Sequence, residues 1–271
     1  MNTKEITDLH IHSTFSYDGK SPAEDYVIAA VARGDKRIGF SEHYDYDCKL
    51  CKKAENAPLC DLESYKNEVN RLREKYEERI EILFGIEFGY DKRATEVYGE
   101  LSEKYKFDYA INSVHLYNGT DFYLLQNSLE PDMADYVYRR YLDTVRESLS
   151  ANYPWQIVGH TGYPKRYAPF KGNTGGYSDY EKEYSEIINA LIKSGKYLEL
   201  NTSTKGEGEF LPDKDFVLKF ISAGGKNFTF GSDAHSVDRY KNGENQVKNF
   251  FSENKITASY FKNRVPIFQK I

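Results

Sequence analysis

Seven short apolar runs recur along the 271-residue chain, and all six histidines fall at or just beyond the carboxyl end of one of them. The runs read "ITDLHIH", "RIGFSEH", "IEILFGIEFGY", "DYAINSVHLY", "QIVGHTGY", "KYLELNTS" and "NFTFGSDAH". Stretches of helical period separate them. Tyr65, Val69, Leu72 and Tyr76 step by three or four; Met133, Val137, Tyr141, Val145 and Leu149 form a second stripe after Pro131; Tyr184, Ile188 and Leu191 form a third that stops at Gly195. Strand-like runs alternating with helices predict an α/β fold whose parallel strands are joined by crossovers. A doubly wound open sheet satisfies the same alternation but spreads its strand ends along an edge, whereas a barrel gathers them at one mouth. The histidine placement therefore favours a closed or distorted barrel of about seven strands.

The length suits one such domain over residues 1–271, with irregular insertions at about 44–60 and 163–180 that follow strand ends and would overhang the mouth. No internal repeat or Pro/Ser-rich linker divides it. The 24 tyrosines make aromatic packing the expected content of the core, and a formal net charge of -5 argues against a broad nucleic-acid surface. "MNTKEITD" begins polar and no run of about 18 apolar residues exists, so neither a leader nor a membrane span is expected and the chain reads as cytoplasmic. Cys48, Cys51 and Cys60 are odd in number and confined to one stretch, which fits neither a disulfide framework nor a four-thiolate zinc site. That stretch reads as a lid.

The histidines are His10, His12, His43, His115, His160 and His235. In an extended "HIH" both imidazoles project to one face, because side chains alternate with period two. Acids accompany three of the positions: Asp18 after His12, Glu42 beside His43 and Asp233 before His235. Imidazole with carboxylate suits zinc, iron or manganese. Six imidazoles exceed what one four- or five-coordinate ion can use, so at least two ions and a bridging ligand are expected. Glu87, an acid among Phe84, Ile86 and Phe88 with Gly85 and Gly89 nearby, is the candidate bridge.

Taken in order, "HIH", Asp18, "EH" at 42–43, Glu87, "SVH", "GH" and "GSDAH" resemble the polymerase and histidinol phosphatase (PHP) superfamily, over residues 8–235. "DLHIHSTFSYDG", "GIEFGY", "SVH", "LELNTS" and "GSDAH" look most like its stand-alone histidinol-phosphate phosphatases. The resemblance implies a distorted (β/α)7 barrel with a trinuclear centre at the strands' carboxyl ends. It assigns His10, His12, Glu87 and Asp233 to one ion, Glu87, His115 and His160 to a second, and Asp18, His43 and His235 to a third. Two to three divalent ions (Zn, Fe or Mn) are expected. Three ions against the carboxylates of Asp18, Glu87 and Asp233 leave about +3, a charge suited to a small phosphate ester.

The expected nucleophile is a water that bridges two ions and loses its proton near neutral pH, with Asp233 shuttling the proton. Arg166 is the first choice to grip phosphate oxygens in a bidentate fork, ahead of Lys165, with Arg93 and Lys205 behind them. For a histidinol leaving group, Phe15, Tyr44 and Tyr117 could flank the ring, and Asp45 or Glu207 could hold the amine. The leading reading is a phosphatase acting on L-histidinol phosphate in histidine biosynthesis. The alternatives are a nuclease or nucleotide phosphoesterase, a phosphotyrosine phosphatase, and a non-catalytic metal-binding module. No nucleic-acid or membrane partner is expected, and the sequence leaves the oligomeric state open.

Overall fold

A computed structural model describes residues 5–46, 59–125, 130–167, 175–204 and 209–269. Six parallel strands lie side by side: β1 (Arg37–Tyr44), β2 (Glu81–Gly89), β3 (Tyr109–Ser113), β6 (Ile157–Val158), β7 (Tyr197–Asn201) and β8 (Phe228–Gly231). The short strands β4 (Leu116–Tyr117) and β5 (Thr120–Asp121) form a separate hairpin just after His115. The amino-terminal segment 6–12 completes the ring. On one side Leu9 N–H and His12 N–H donate to the carbonyls of Phe230 and Ala234; on the other, Gly39 N–H and Ser41 N–H donate to those of Asp8 and Ile11. The Asp8 carboxylate adds a bond across this seam, accepting from Ser232 N–H at 3.0 Å. The result is the expected distorted seven-stranded barrel, except that its first member is held by isolated bridges rather than a continuous ladder.

Helices clothe the outside. Helix α2 (Leu62–Lys75) starts where Asp61 accepts from the backbone of Glu63 and Ser64, and it buries Leu62, Tyr65, Val69 and Leu72. Helix α6 (Glu181–Ser194) ends at Gly195, whose φ of 67° is the left-handed conformation glycine adopts freely. Helix α5 (Pro131–Ser148) packs through Val137, Tyr138, Tyr141, Leu142 and Val145, whereas Met133 is 52% exposed and is not part of the stripe. The sequence reading did not single out α1 (Ala23–Arg33), α3 (Thr95–Tyr105), the one-turn α4 (Phe122–Leu125), α7 (Lys214–Ser222) or α8 (Glu244–Glu253), nor the antiparallel hairpin of β9 (Ala258–Lys262) and β10 (Val265–Gln269) that extends the sheet beyond β8. Among the described residues no helix is long and apolar enough to cross a membrane.

Strand alternation organises the barrel interior. Leu83, Tyr109, Ile111, Ile157 and Tyr197 join Leu9 in one apolar cluster, which Tyr260 and Phe261 of β9 complete. Two or four residues further along the same strands stand Glu87, Ser113 and Glu199. Steps of two keep a side chain on one face, so the strands run from an apolar plug at one end to polar groups at the other.

The Tyr109 hydroxyl sits 2.7 Å from the carbonyl of Leu9 and 2.9 Å from that of Phe40, pinning the amino-terminal segment to β1. Tyr109→Phe leaves these buried carbonyls without that donor, and the expected cost is about 1–3 kcal/mol. A lower urea midpoint at unchanged slope would show it; an unchanged midpoint would mean that the seam does not depend on this hydroxyl.

Candidate metal centre

The barrel mouth collects all nine expected ligands. His43 and Glu87 are register partners at the ends of β1 and β2. His115 follows β3, His160 follows β6, Asp233 and His235 follow β8, and His10, His12 and Asp18 come from the amino-terminal segment and its turn. Glu87 is the hub. Its carboxylate lies 3.1 Å from His10 Nε2, 3.5 Å from His12 Nε2, 2.7 Å from His43 Nδ1, 3.2 Å from His115 Nε2 and 3.0 Å from His160 Nε2.

The three expected groups are each close-set. Asp233 Oδ1 stands 3.7 Å from His10 Nε2 and 3.4 Å from His12 Nε2. His115 Nε2 and His160 Nε2 are 3.1 Å apart. His235 Nε2 is 3.2 Å from Asp18 and 3.3 Å from His43 Nε2, which is itself 3.7 Å from Asp18. His43 thus touches both the third group and Glu87.

The inward atoms explain what the cluster is for. His10 Nε2, His12 Nε2, His43 Nδ1, Asp18 Oδ1 and Glu87 Oε2 are buried and have no hydrogen-bond partner. Buried polar atoms left without a partner are costly and uncommon. Here they face one another with the donor chemistry of a nitrogen–oxygen cation site, and a bound divalent ion would satisfy them together. The residues fit such ions.

Electrostatics agree. Burial works against charge on His10, yet the carboxylates of Glu199, Glu87 and Asp233 hold it well above the ordinary imidazole value. Burial likewise opposes His43, but Asp18 and Glu87 bring it up to about 9. His115 and His235 are raised against the same opposition, by Asp45 with Glu87 and by Asp18 with Asp233. His12 and His160 go the other way: burial lowers both, and neighbouring imidazoles add to it. Glu87 and Asp233 resist burial and stay well below the usual carboxylate range because His10 and other cations surround them. These carboxylates draw positive charge into the mouth, the demand a divalent cation meets.

Behind the ligands lies a layer that the sequence reading missed or placed elsewhere. Glu199 accepts from His10 Nδ1 at 2.6 Å and from the His160 backbone N–H at 2.7 Å. Asp45, expected to face an amine, instead holds His115 Nδ1 at 2.8 Å. Ser113 donates to Glu87 at 2.6 Å, and the Asp233 carbonyl sits 3.0 Å from His235 Nδ1. Such partners fix the tautomer and angle of a ligating imidazole.

Glycines make room for both outer carboxylates. A Cβ on Gly231 would overlap Glu199 Oε1 and lie 2.6 Å from His10 Cβ; one on Gly89 would overlap Asp45 Oδ1 and lie 2.7 Å from its Cγ. Glu42 takes no part in the mouth. It accepts from Ser13 and Ser16 and clamps their turn. Asp233 has φ 53°, a left-handed conformation that costs a non-glycine residue and is found at functional sites.

Among the expected substrate contacts, Arg166 reaches the centre. Its guanidinium is buried, with Nη1 donating to Asp233 Oδ2 at 3.0 Å and Nη2 to Asn201 Oδ1 at 2.7 Å, while Nε has no partner. Lys165 turns to Asp213, 3.7 Å away. The Phe15 ring lies against Tyr65, Tyr117 against Phe122, and Tyr44 against Phe88 and Tyr98 outside the strands. The tyrosines that lie on ligand imidazoles are Tyr17, stacked on His43 with 44% of its surface exposed, and Tyr163, beside His115 and His160. Arg93 pairs with its neighbour Asp91 on the exposed surface. Cys60 is buried; Cys48, Cys51, Lys205 and Glu207 lie outside the described residues, as does most of 44–60.

The PHP domain family matches residues 8–203. The chain is 31% identical over 242 residues to the histidinol-phosphatase of Lactococcus lactis subsp. lactis, covering 86% of this chain and 85% of that one. Its fold is similar to the crystal structure of histidinol phosphate phosphatase from Lactococcus lactis, complexed with zinc, L-histidinol and phosphate. The TM-score is 0.80 at 24% identity, over 97% of this chain and 98% of that one.

Proposed function

Since the chain belongs to the PHP domain family and is a metal-dependent phosphatase, we propose that it hydrolyses L-histidinol phosphate to L-histidinol and inorganic phosphate. The observation that carries this is the convergence of nine imidazoles and carboxylates, five of them with a buried inward atom that has no partner, beside an arginine whose side chain is 8% exposed. The relative's name and its bound ligands support the substrate.

His10, His12, Glu87 and Asp233 would hold one ion, Glu87, His115 and His160 a second, and Asp18, His43 and His235 a third. Zinc, manganese or iron suits these donors. When bound, such ions supply charge that polarises the phosphoryl group and lowers the pKa of water. Arg166 turns its unpaired Nε–H toward a phosphoryl oxygen and offsets the charge that builds there in the transition state. Asp233, kept ionised against burial by His10 and Arg166, is set to accept a proton from the attacking water and pass it to the leaving alkoxide. Tyr17, partly exposed above His43, offers a flat surface to the ring of the leaving group.

The test is phosphate release from L-histidinol phosphate beside p-nitrophenyl phosphate, phosphotyrosine and a short oligonucleotide, with metals per chain counted on the same sample. Preference for histidinol phosphate by orders of magnitude is expected. An equal or greater rate on another ester would overturn the substrate, and no turnover at full metal loading would make the chain a non-catalytic module. Asp45→Asn keeps the shape behind His115 but removes its charge. The expected result is a metal affinity weakened by roughly 10–100-fold in competition with a chromophoric chelator. Unchanged affinity would remove Asp45 from the machinery.

A further inference from the structure

We propose that Asn201 is a positioning residue for Arg166, one carboxamide that orients the guanidinium fork and ties it through Glu199 to His10. The inference rests on reading Arg166 as a phosphate ligand. Strand β7 carries Glu199 and Asn201 two residues apart, hence on the same interior face. The Asn201 backbone is pinned by bonds in both directions with Leu211, at 2.9 and 2.8 Å. Its side chain is buried and splits its two functions. The amide oxygen accepts from Arg166 Nη2 at 2.7 Å and from Ser203 N–H at 3.0 Å, and the amide nitrogen donates to Glu199 Oε2 at 3.1 Å.

A continuous chain of hydrogen bonds therefore runs from Arg166 through Asn201 and Glu199 to His10 Nδ1. Each link has matched polarity. A cation meets the amide oxygen, the amide N–H meets a carboxylate, and the same carboxylate meets an imidazole N–H. A carboxylate at 201 would face Glu199 with like charge, and an aliphatic residue would leave both neighbours unpaired in a buried place. With Nη1 on Asp233 and Nη2 on Asn201, the guanidinium plane is fixed at two points. Two of the five N–H groups are thereby engaged, and Nε, the one guanidinium nitrogen without a partner, is held in a fixed direction.

The experiment is a double-mutant cycle on the metal-loaded enzyme, with inorganic phosphate as competitive inhibitor of p-nitrophenyl phosphate hydrolysis. The proteins are wild type, Asn201→Ala, Arg166→Ala and the double variant, each with its metal content measured. If Asn201 acts through Arg166, Asn201→Ala weakens phosphate about tenfold in the wild-type background and less than about twofold in the Arg166→Ala background, at unchanged metal content. Equal losses in both backgrounds, or no loss in either, overturn the proposal. If Arg166→Ala leaves phosphate affinity untouched, Arg166 is not a phosphate ligand and the proposal falls with it. The substrate assignment is unaffected, because no arm of the cycle uses histidinol phosphate. Should Asn201→Ala fail to fold, Asn201→Ser keeps a polar group beside Glu199 but is too short for the guanidinium, and it must give the same pattern.

Discussion

Replacing Glu87 by alanine removes metal and activity together: phosphate release falls by at least about a thousandfold, which corresponds to roughly 4 kcal/mol. Five of the six imidazoles lie within 3.5 Å of this one carboxylate. It is also the group shared by two of the three proposed ligand sets. Without it, His10, His43 and His115 lose one of the anions that hold them in the charged range. The imidazoles would then face one another across a buried gap with only Asp18 and Asp233, at its edges, to balance an ion's charge. Glu87→Gln separates shape from charge, since it keeps the volume and one acceptor oxygen. Both variants are expected to lose metal, measured by elemental analysis against protein concentration. Glu87→Gln with wild-type metal content would mean that the charge of Glu87 is not what gathers the ions.

Gly231→Ala adds one methyl group and is expected to cost about a hundredfold in activity and about 1–3 kcal/mol in stability. The new Cβ meets Glu199 Oε1 and His10 Cβ. Glu199 cannot swing aside cheaply, because the same carboxylate holds His10 Nδ1, the His160 backbone and Asn201. Either that set of bonds breaks or β8 moves away from β7. Both disturb ligands while leaving every ligand in the sequence. Urea unfolding with phosphate release on one preparation distinguishes the two costs. Normal kcat and KM in a destabilised protein would show that the added methyl is accommodated without disturbing the ligands.

Much of this molecule was legible because period and chemistry agree. The alternation of apolar runs with helical stripes gave the barrel class, and histidines at the run ends gave the mouth. Glu87 could be read because an acid inside "LFGIEFG" has no reason to be there except a buried partner. Glu199 carries the same signal in "YLELN" and was passed over, since no histidine stands beside it in sequence. Its partners at the mouth include His10 and the His160 backbone, 189 and 39 residues away, and only the fold brings them together. Asp45 was legible as an acid near the mouth but not in its direction. One residue past β1, it turns behind His115 rather than toward a substrate. The directions of the aromatic residues were hidden for a related reason. Phe15 and Tyr44 sit beside ligands in sequence yet pack on Tyr65, Phe88 and Tyr98, whereas Tyr17 and Tyr163 meet the imidazoles. Helix α1 and the β9–β10 hairpin carry no histidine, so no ligand position marks them in the sequence.

The way the barrel closes also has a meaning for synthesis. The segment bearing "HIH" is synthesised well before β8, yet the contacts that close the barrel on that side of it come from β8 and the turn after it; Asp8 and Ser232 are 224 residues apart. Contacts so distant in sequence slow folding, since the intervening chain must be gathered before they can form. A nascent chain stopped before β8 has made its first five histidines and Glu87 but lacks Asp233, His235 and the strand that closes the seam beside His10. Filling of the complete centre is therefore among the last events of folding, and a fully loaded centre marks a chain that has been translated through its final ligand.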